Sequence, residues 1–478
     1  MGQEISRIQF EQRHFDRFEN RLAEETRLLS QWFAENRFCD DRFASGFELE
    51  VWIVDRNAKP QPINEKLIQT MANPMVTQEL AAFNIEFNFG AETLKNSAFT
   101  HHREEMMQLW RHGSATAKNL DSQLAMIGIL PTVKSTDLTM ANVSSMKRYA
   151  ALNEQVLRMR NGRPLRLDIH GNEILRLSHE DVMLESATTS FQIHLQVPIS
   201  KALRAYNASI ILSAPVVAVA ANSPYLFGKN LWSETRIPLF EQSVEVGGYG
   251  DASQGPMRRV SFGSGYARES LMEIFEENYQ HFPVLLPMLQ QEPLEHFANV
   301  RLHNGTLWRW NRPLIGLGDK LPHIRIEHRV VPAGPTLEDN LANAAFYYGL
   351  VYALAQQQPA PETQLPFELA RDNFYRAAQY GLDTNIVWLD GKKIKIQTLI
   401  LKTLLPLAAK GLQRLQVDQT DIDRYLTIIE SRTVNNCTGA EWQRAFVCRY
   451  GPDMEKLTTS YIENQESGLP VHNWGINR

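Results

Sequence analysis

The sequence predicts an α+β protein, and three observations carry that prediction. Strand-like and helix-like stretches alternate, but their connections are too varied for regular βαβ units. Four short segments place apolar residues on one parity and carboxylates, amides, His or Arg on the other. Residues 366–478 read as mostly helical. With 478 residues, 43% hydrophobic and 22% charged, the chain is long enough for a large core and has an ordinary globular composition.

Residues 7–36 carry Ile8, Phe10, Phe15, Phe18, Leu22, Leu28, Leu29 and Phe33 at helical spacing, which predicts a long amphipathic helix. The first polar-faced strand follows at 46–54 (GFELEVWIV) and the second at 84–89 (NIEFNF). A helix is predicted near 102–128 from Met106, Met107, Leu109, Trp110, Leu120, Leu124 and Met126, and another over 149–160, closed by Asn161-Gly162. The third polar-faced strand is 190–197 (SFQIHLQV). The apolar run that follows contains Pro215 and is too short to span a bilayer, so 200–221 reads as a buried helix. Residues 222–265 read as a loop rich in Gly, including Gly247, Gly248, Gly250, Gly255, Gly263 and Gly265. In it, Arg258-Arg259 reads as a loop-surface pair.

The fourth polar-faced strand is 324–330 (IRIEHRV), and Thr336 or Asp339 then caps a helix over 340–354. The Pro- and Gln-rich stretch 356–364 is the best linker candidate. It divides a region that includes the N-terminal helix and the four polar-faced strands, 1–358, from a mostly helical segment, 359–478, expected to pack on the same domain. Trp442, Phe446 and Tyr450 in that segment read as packing.

A net charge of −5 argues against a general nucleic-acid binder, which carries a basic field. Cys39, Cys437 and Cys448 form neither a zinc motif nor a disulfide framework, which suits a reducing cytoplasm. The N-terminal residues are charged and amphipathic instead of forming an apolar signal core, so a cytoplasmic protein without membrane attachment is expected. The phosphate loop GxxxxGK[ST], the dinucleotide fingerprint GxGxxG after a strand, HExxH and the GxSxG elbow do not occur.

Strand side chains alternate faces, so Glu48 and Glu50 point the same way, about 6–7 Å apart. Asn84, Glu86 and Asn88 share a face, as do Ser190, Gln192, His194 and Gln196, and Arg325, Glu327 and Arg329. An antiparallel sheet with one wet face also alternates. These four faces, however, contain no Lys, and carboxylates and amides dominate three of them. If the strands share a sheet, Glu48, Glu50, Glu86 and Glu327 repel one another until a hard cation such as Mg²⁺ or Mn²⁺ resolves the conflict. Arg325 and Arg329, with Arg236 from the long loop, have the forked geometry that holds phosphate or carboxylate. An ion-pair network among Arg325, Glu327 and Arg329, and a satisfied core or surface His at 194, are the structural alternatives.

At these residues the chain resembles the glutamate–cysteine ligase family of glutamine-synthetase-like carboxylate–amine ligases. GFELE at 46–50 is similar to its opening GxExE strand, and ELAAFNIE at 79–86 to its acidic residue followed by an (L/V)E strand. TTSFQIHLQ at 188–196, ANSP at 221–224 with Gly228 and Arg236, and IEHR at 326–329 resemble further pieces in the same order, over roughly residues 40–350. The resemblance implies a curved antiparallel half-barrel with ATP and two or three Mg²⁺ ions on its concave face. It implies metal ligands at Glu48, Glu50, Glu86 and Glu327, with Glu79 a further candidate, and cofactor contacts at Gln192, His194 and Arg325. Arg329 would hold glutamate or the transferring phosphoryl group, and Arg236 would contact phosphates. The implied reaction phosphorylates the γ-carboxylate of glutamate, and cysteine or another amine then displaces phosphate. Gln192 stands where one branch has a metal-binding His, and 246–259 matches no substrate loop of the family. A different acceptor, or a relative that binds nucleotide or amino acid without turnover, therefore remains open.

Overall fold

The computed structural model describes residues 8–246, 258–290, 292–318 and 321–475. Seven strands form one antiparallel sheet: β1 (Ala44–Val54), β2 (Val76–Gln78), β3 (Asn84–Thr93), β4 (Gln123–Ala125), β5 (Phe191–Val197), β6 (Asn311–Gly316) and β7 (His323–His328). The order is β6-β7-β5-β1-β3-β2, and β4 pairs with the last residues of β1, Trp52 to Val54. All four polar-faced segments are therefore in the same sheet, as four consecutive strands.

The alternation decides which way each strand faces. Phe47, Leu49, Val51 and Ile53 of β1, Ile85 and Phe87 of β3, Phe191, Ile193 and Leu195 of β5, and Ile324 and Ile326 of β7 enter one hydrophobic core. Phe47 stacks on Phe191 with ring centroids 5.0 Å apart. Each such side chain contributes roughly 1.5–3 kcal/mol by leaving water. A register slip of one residue would send the glutamates into this core, so the pattern pins the register.

The helices Ala98–Asn119, Ile199–Ala220 and Leu337–Leu354 back the apolar face. Ile199–Ala220 is long and apolar enough to cross a membrane by composition, yet 89% of its most apolar window is buried inside the protein. Leu337–Leu354 is capped by Thr336, whose Oγ1 accepts from the Asp339 amide at 3.2 Å. Against it lies Leu405–Arg414, and the two backbones meet at glycines. A Cβ on Gly411 would stand 1.9 Å from the Gly349 carbonyl oxygen, so neither helix tolerates a side chain there.

The C-terminal segment is stitched to the far end of the sheet. Gln465 Nε2 donates to the Leu124 carbonyl at 3.0 Å, and Gln465 Oε1 accepts from the Met126 amide at 2.7 Å. Tyr461 Oη donates to the Met126 carbonyl at 2.8 Å, and the Val471 amide donates to Asp339 Oδ2 at 3.1 Å. Trp442 and Phe446 are buried as expected for packing, whereas Tyr450 is 45% exposed.

Several elements differ from the sequence reading. The helix predicted over 102–128 ends at Asn119; Asp121 takes a positive φ of 55°, and Leu124 belongs to β4. The stretch read as a loop over 222–265 contains the helix Arg236–Ser243 and short strands at Tyr225–Leu226, Lys229–Asn230 and Val260–Ser261. Gly247, Gly248, Gly250 and Gly255 of that stretch lie outside the described residues. Arg259 is not on the surface: it is 1% exposed and donates to Pro283 O at 2.6 Å and to Thr306 Oγ1 at 3.2 Å. Strand β6 went unread because Pro313 interrupts it, and the structure tolerates Pro313 there because β6 is an edge strand.

Candidate active site

Strand register brings distant residues side by side. Glu50 lies opposite Glu86 and Glu48 opposite Asn88 across β1 and β3. Glu48 also faces Gln192 on β5, His194 faces Glu327 on β7, and Glu327 faces Arg312 on β6. This polar face forms the floor of a cavity of ≈ 320 Å³. Of the residues singled out from sequence, Glu48, Glu50, Glu79, Glu86, Gln192, Arg325, Glu327 and Arg329 line it.

Two groups of potential ligands stand out. Glu48, His194 and Glu327 each offer one ligand atom within 4.8 Å of the others, and so do Glu50, Glu79 and Glu86. Glu79 reaches its group from the connection between β2 and β3. The sequence reading set His194 beside Gln192 and Arg325 as a cofactor contact; the fold instead groups it with two carboxylates. Its Nε2 is 3.4 Å from Glu48 Oε1, and neither ring nitrogen has a hydrogen bond among the described residues.

The two groups differ electrostatically. Glu327 is buried, which alone would raise its pKa, yet Arg312, Arg329 and His194 hold it at about 2. Arg312 grips it through Nε–Oε2 and Nη2–Oε1 bonds of 2.9 Å each. Glu48 is half-buried and likewise held low, by His194 and Arg325 against the desolvation that would raise it. On the other side, burial and the charges of Glu48 and Glu50 push Glu86 up to about 7. Burial, Glu86 and Glu50 push Glu79 well above the usual carboxylate range. Glu50 is raised by burial in spite of Arg329 and of hydrogen bonds from the Ser190 amide (2.7 Å) and Gln192 Nε2 (2.8 Å). Three carboxylates that resist joint ionisation are the donor set that an added cation relieves.

Arginines complete the wall. Arg329 Nη1 donates to Gln192 Oε1 and lies 3.5 Å from Glu327 Oε2. The Nε atoms of Arg325 and Arg329 are buried without a hydrogen-bond partner among the described residues. Arg236 is placed differently from its two companions. It is not among the lining residues; its guanidinium is engaged by Glu234 (3.1 Å) and the Val330 carbonyl (2.5 Å) and lies against the Trp310 ring. It thereby ties the loop after the Ile199–Ala220 helix to the chain leaving β7.

The sequence reading missed Arg312, Glu185, Arg148 and Tyr149, all of which line the cavity. Arg312 sits beside Pro313 in the unread edge strand. Arg148 and Tyr149 open the helix Lys147–Met159, which was read over 149–160 only as a helix closed by Asn161-Gly162. Glu185 lies in the 3₁₀ turn Val182–Ala187 just ahead of β5, with no periodicity to mark it. Burial and the charge of Glu50 push its carboxyl up to about 8.

The profile of glutamate-cysteine ligase family 2 (GCS2) matches residues 44–465. A provisionally named glutamate–cysteine ligase 2 of Trichormus variabilis is 25% identical over 151 residues, which are 30% of this chain and 37% of that one. The matched stretch thus spans little more than a third of that relative. Among solved structures, glutamate–cysteine ligase from Francisella tularensis, in complex with AMP, superimposes with a TM-score of 0.54 at 10% identity, over 90% of each chain. That likeness concerns the fold alone, an antiparallel sheet with flanking helices. A family profile that runs from the first residue of β1 to the helix clasping β4 settles the matter: this chain belongs to glutamate-cysteine ligase family 2.

Proposed function

We propose that this chain is an ATP-dependent carboxylate–amine ligase that forms a γ-glutamyl amide, with cysteine the first acceptor to test. The observation that carries the reading is the convergence, in one cavity, of two three-ligand groups with Arg325 and Arg329. Glu50, Glu79 and Glu86 make an all-oxygen set suited to Mg²⁺. Glu48, Glu327 and His194 add a nitrogen, which Mn²⁺ also accepts. The raised carboxyls of the first set and the His194 Nε2 facing Glu48 at 3.4 Å fit such ions.

Bound ions supply Lewis acidity and a template for the phosphates. The chain supplies the rest. In this reading Arg329 holds the carboxylate that receives the phosphoryl group and Arg325 the polyphosphate, helped by the unpartnered Nε of each. Val244, Phe275, Leu286, Leu302 and Ile315 also line the cavity, and in this reading their apolar surface meets the purine ring and excludes water. Arg236 acts indirectly, by fixing the chain after β7. A γ-carboxylate oxygen of glutamate takes the γ-phosphoryl group of ATP and ADP leaves. The acceptor nitrogen then bonds to the acyl carbon as its C–O bond to phosphate breaks. Residues 359–478 serve as a support for this centre, and the three free cysteines suit a reducing cytoplasm.

The test is ADP release, coupled to an optical readout, with glutamate, Mg²⁺ and a panel of amines. Glutamate-dependent release with at least one acceptor is expected; none with any acceptor refutes the reading. A second reading keeps the mechanism and changes the acceptor, because Gln192 departs from the family pattern and the sequence of 246–259 matches no substrate loop of the family. The same panel decides between them.

A further inference from the structure

Gln192 stands between the two ligand groups and bonds toward both. It is 2% exposed, on β5, opposite Glu48 of β1. Its Nε2 donates to Glu50 Oε1 at 2.8 Å, and its Oε1 accepts from Arg329 Nη1. Its neighbours decide which way the amide points. An arginine has only donors, so it must meet the amide oxygen. Glu50 already accepts the Ser190 amide at Oε2 (2.7 Å), and its other oxygen receives the amide nitrogen. A flipped amide would set N–H against N–H and oxygen against oxygen. A carboxylate at 192 would keep the arginine but face Glu50 with like charge. An aliphatic side chain there would leave both neighbours without this bond.

Arg329 is otherwise held at its base and flank. Its backbone N–H donates to the Trp310 carbonyl at 2.9 Å, and its guanidinium carbon lies 5.9 Å from the centre of the Phe240 ring. Its Nε is buried without a hydrogen-bond partner among the described residues, and Glu327 Oε2 stands 3.5 Å from Nη1. An arginine side chain left to itself samples many rotamers, so the bond to Gln192 is what fixes the plane of the guanidinium. We propose that Gln192 is a positioning residue that acts on the substrate through Arg329, aiming its guanidinium at the carboxylate that receives the phosphoryl group. This inference rests on the ligase reading above and changes the role of Gln192 from the cofactor contact expected from sequence. Its oxygen is occupied by Arg329, so it touches neither nucleotide nor ion. Arg325, assigned to the polyphosphate, shares no bond with it. A change at 192 therefore weakens glutamate and spares ATP.

Wild type, Gln192→Met, Arg329→Lys and the double variant are assayed for ADP release with the best amine of the panel, varying glutamate and ATP in turn. Glutamate binding is also measured by calorimetry with Mg²⁺ and a non-hydrolysable ATP analogue, which needs no turnover. Gln192→Met is expected to raise the glutamate KM about tenfold, the scale of one lost hydrogen bond to a charged group, with the ATP KM within about threefold of wild type. In the Arg329→Lys background the same change is expected to weaken glutamate binding less than about twofold, because residues that act in series are not additive. Gln192→Asn keeps a buried amide but is one carbon shorter; it serves where Gln192→Met does not fold, and is expected to shift the glutamate KM the same way. Equal rises in both KM values, an unchanged glutamate KM, or the same fold-loss of glutamate binding in both backgrounds overturns the assignment. Wild-type protein that neither binds glutamate nor releases ADP with it overturns the ligase reading itself, a failure visible before any variant is made.

Discussion

Arg312 on the edge strand and Glu327 on its neighbour meet as a bidentate pair, both bonds 2.9 Å, in a part of the site shielded from solvent. This pair separates a charge-balanced half of the cavity from a half in which burial and mutual repulsion of Glu50, Glu79 and Glu86 outweigh the compensation from Arg329 and Arg148.

Arg312→Met leaves Glu327 buried with only Arg329 and His194 nearby. Breaking such a pair typically costs 3–5 kcal/mol. Urea unfolding in chelator is expected to show about that loss, and Mn²⁺ is expected to return part of it by supplying the missing positive charge. Unchanged stability in chelator would contradict the burial argument.

Glu327→Gln removes one ligand charge and little volume. A fall of about 10²–10³ in kcat/KM is expected, equivalent to about 3–4 kcal/mol of transition-state stabilisation. Near-normal turnover takes Glu327 out of the ion-binding group.

Glu79→Gln has the opposite sign in the absence of ions. Relieving repulsion from Glu50 and Glu86 is expected to raise the melting temperature in chelator, whereas the further rise on adding Mn²⁺ shrinks. Differential scanning fluorimetry with and without Mn²⁺ reads both. A variant that melts lower in chelator speaks against a crowded acidic group.

The pH dependence follows from the raised carboxyls. Glu86 at about 7 and Glu185 at about 8 bind protons more tightly folded than unfolded, where a Glu titrates near 4.5. The folded state therefore holds more protons between pH 4.5 and 8, and stability in chelator falls as pH rises through that window. Glu327, held at about 2, contributes stability that is fully present above pH 4.5 and is lost only below it. Ions compete with protons for Glu86, so stabilisation by Mn²⁺ is expected to be larger at pH 8 than at pH 6. Thermal melts across pH 5–8.5 test both slopes; a chelated protein most stable at pH 8 would contradict them.

Much of this site was legible because a period of two writes a strand's facing into its sequence. Glu48 and Glu50 were readable as one face from GFELE alone, and Gln192 and His194 from SFQIHLQ. Which strands adjoin was not, since register between β1 and β5 depends on contacts about 140 residues apart in sequence. The pairing of Glu327 with Arg312 was hidden by Pro313, a strand breaker by rule that an edge position permits. Glu185, in a turn without periodicity, and Arg236, whose partner Glu234 precedes it by two residues, had no pattern to announce their surroundings. His194 was read as one of a row with Gln192, but its neighbour across the sheet, Glu327, decides its company.

The clasp of Gln465 on Leu124 and Met126 has a consequence for biosynthesis. β4 prolongs the pairing of β1 just beyond Glu50, and its outer backbone groups are satisfied by a side chain translated some 340 residues later. A nascent chain still tethered to the ribosome near residue 460 can carry every glutamate and arginine of the cavity and yet leave this margin open to water. Completion of the centre therefore waits for the segment around Gln465 to emerge and dock, and a protein cut at residue 358 would inherit an unfinished rim.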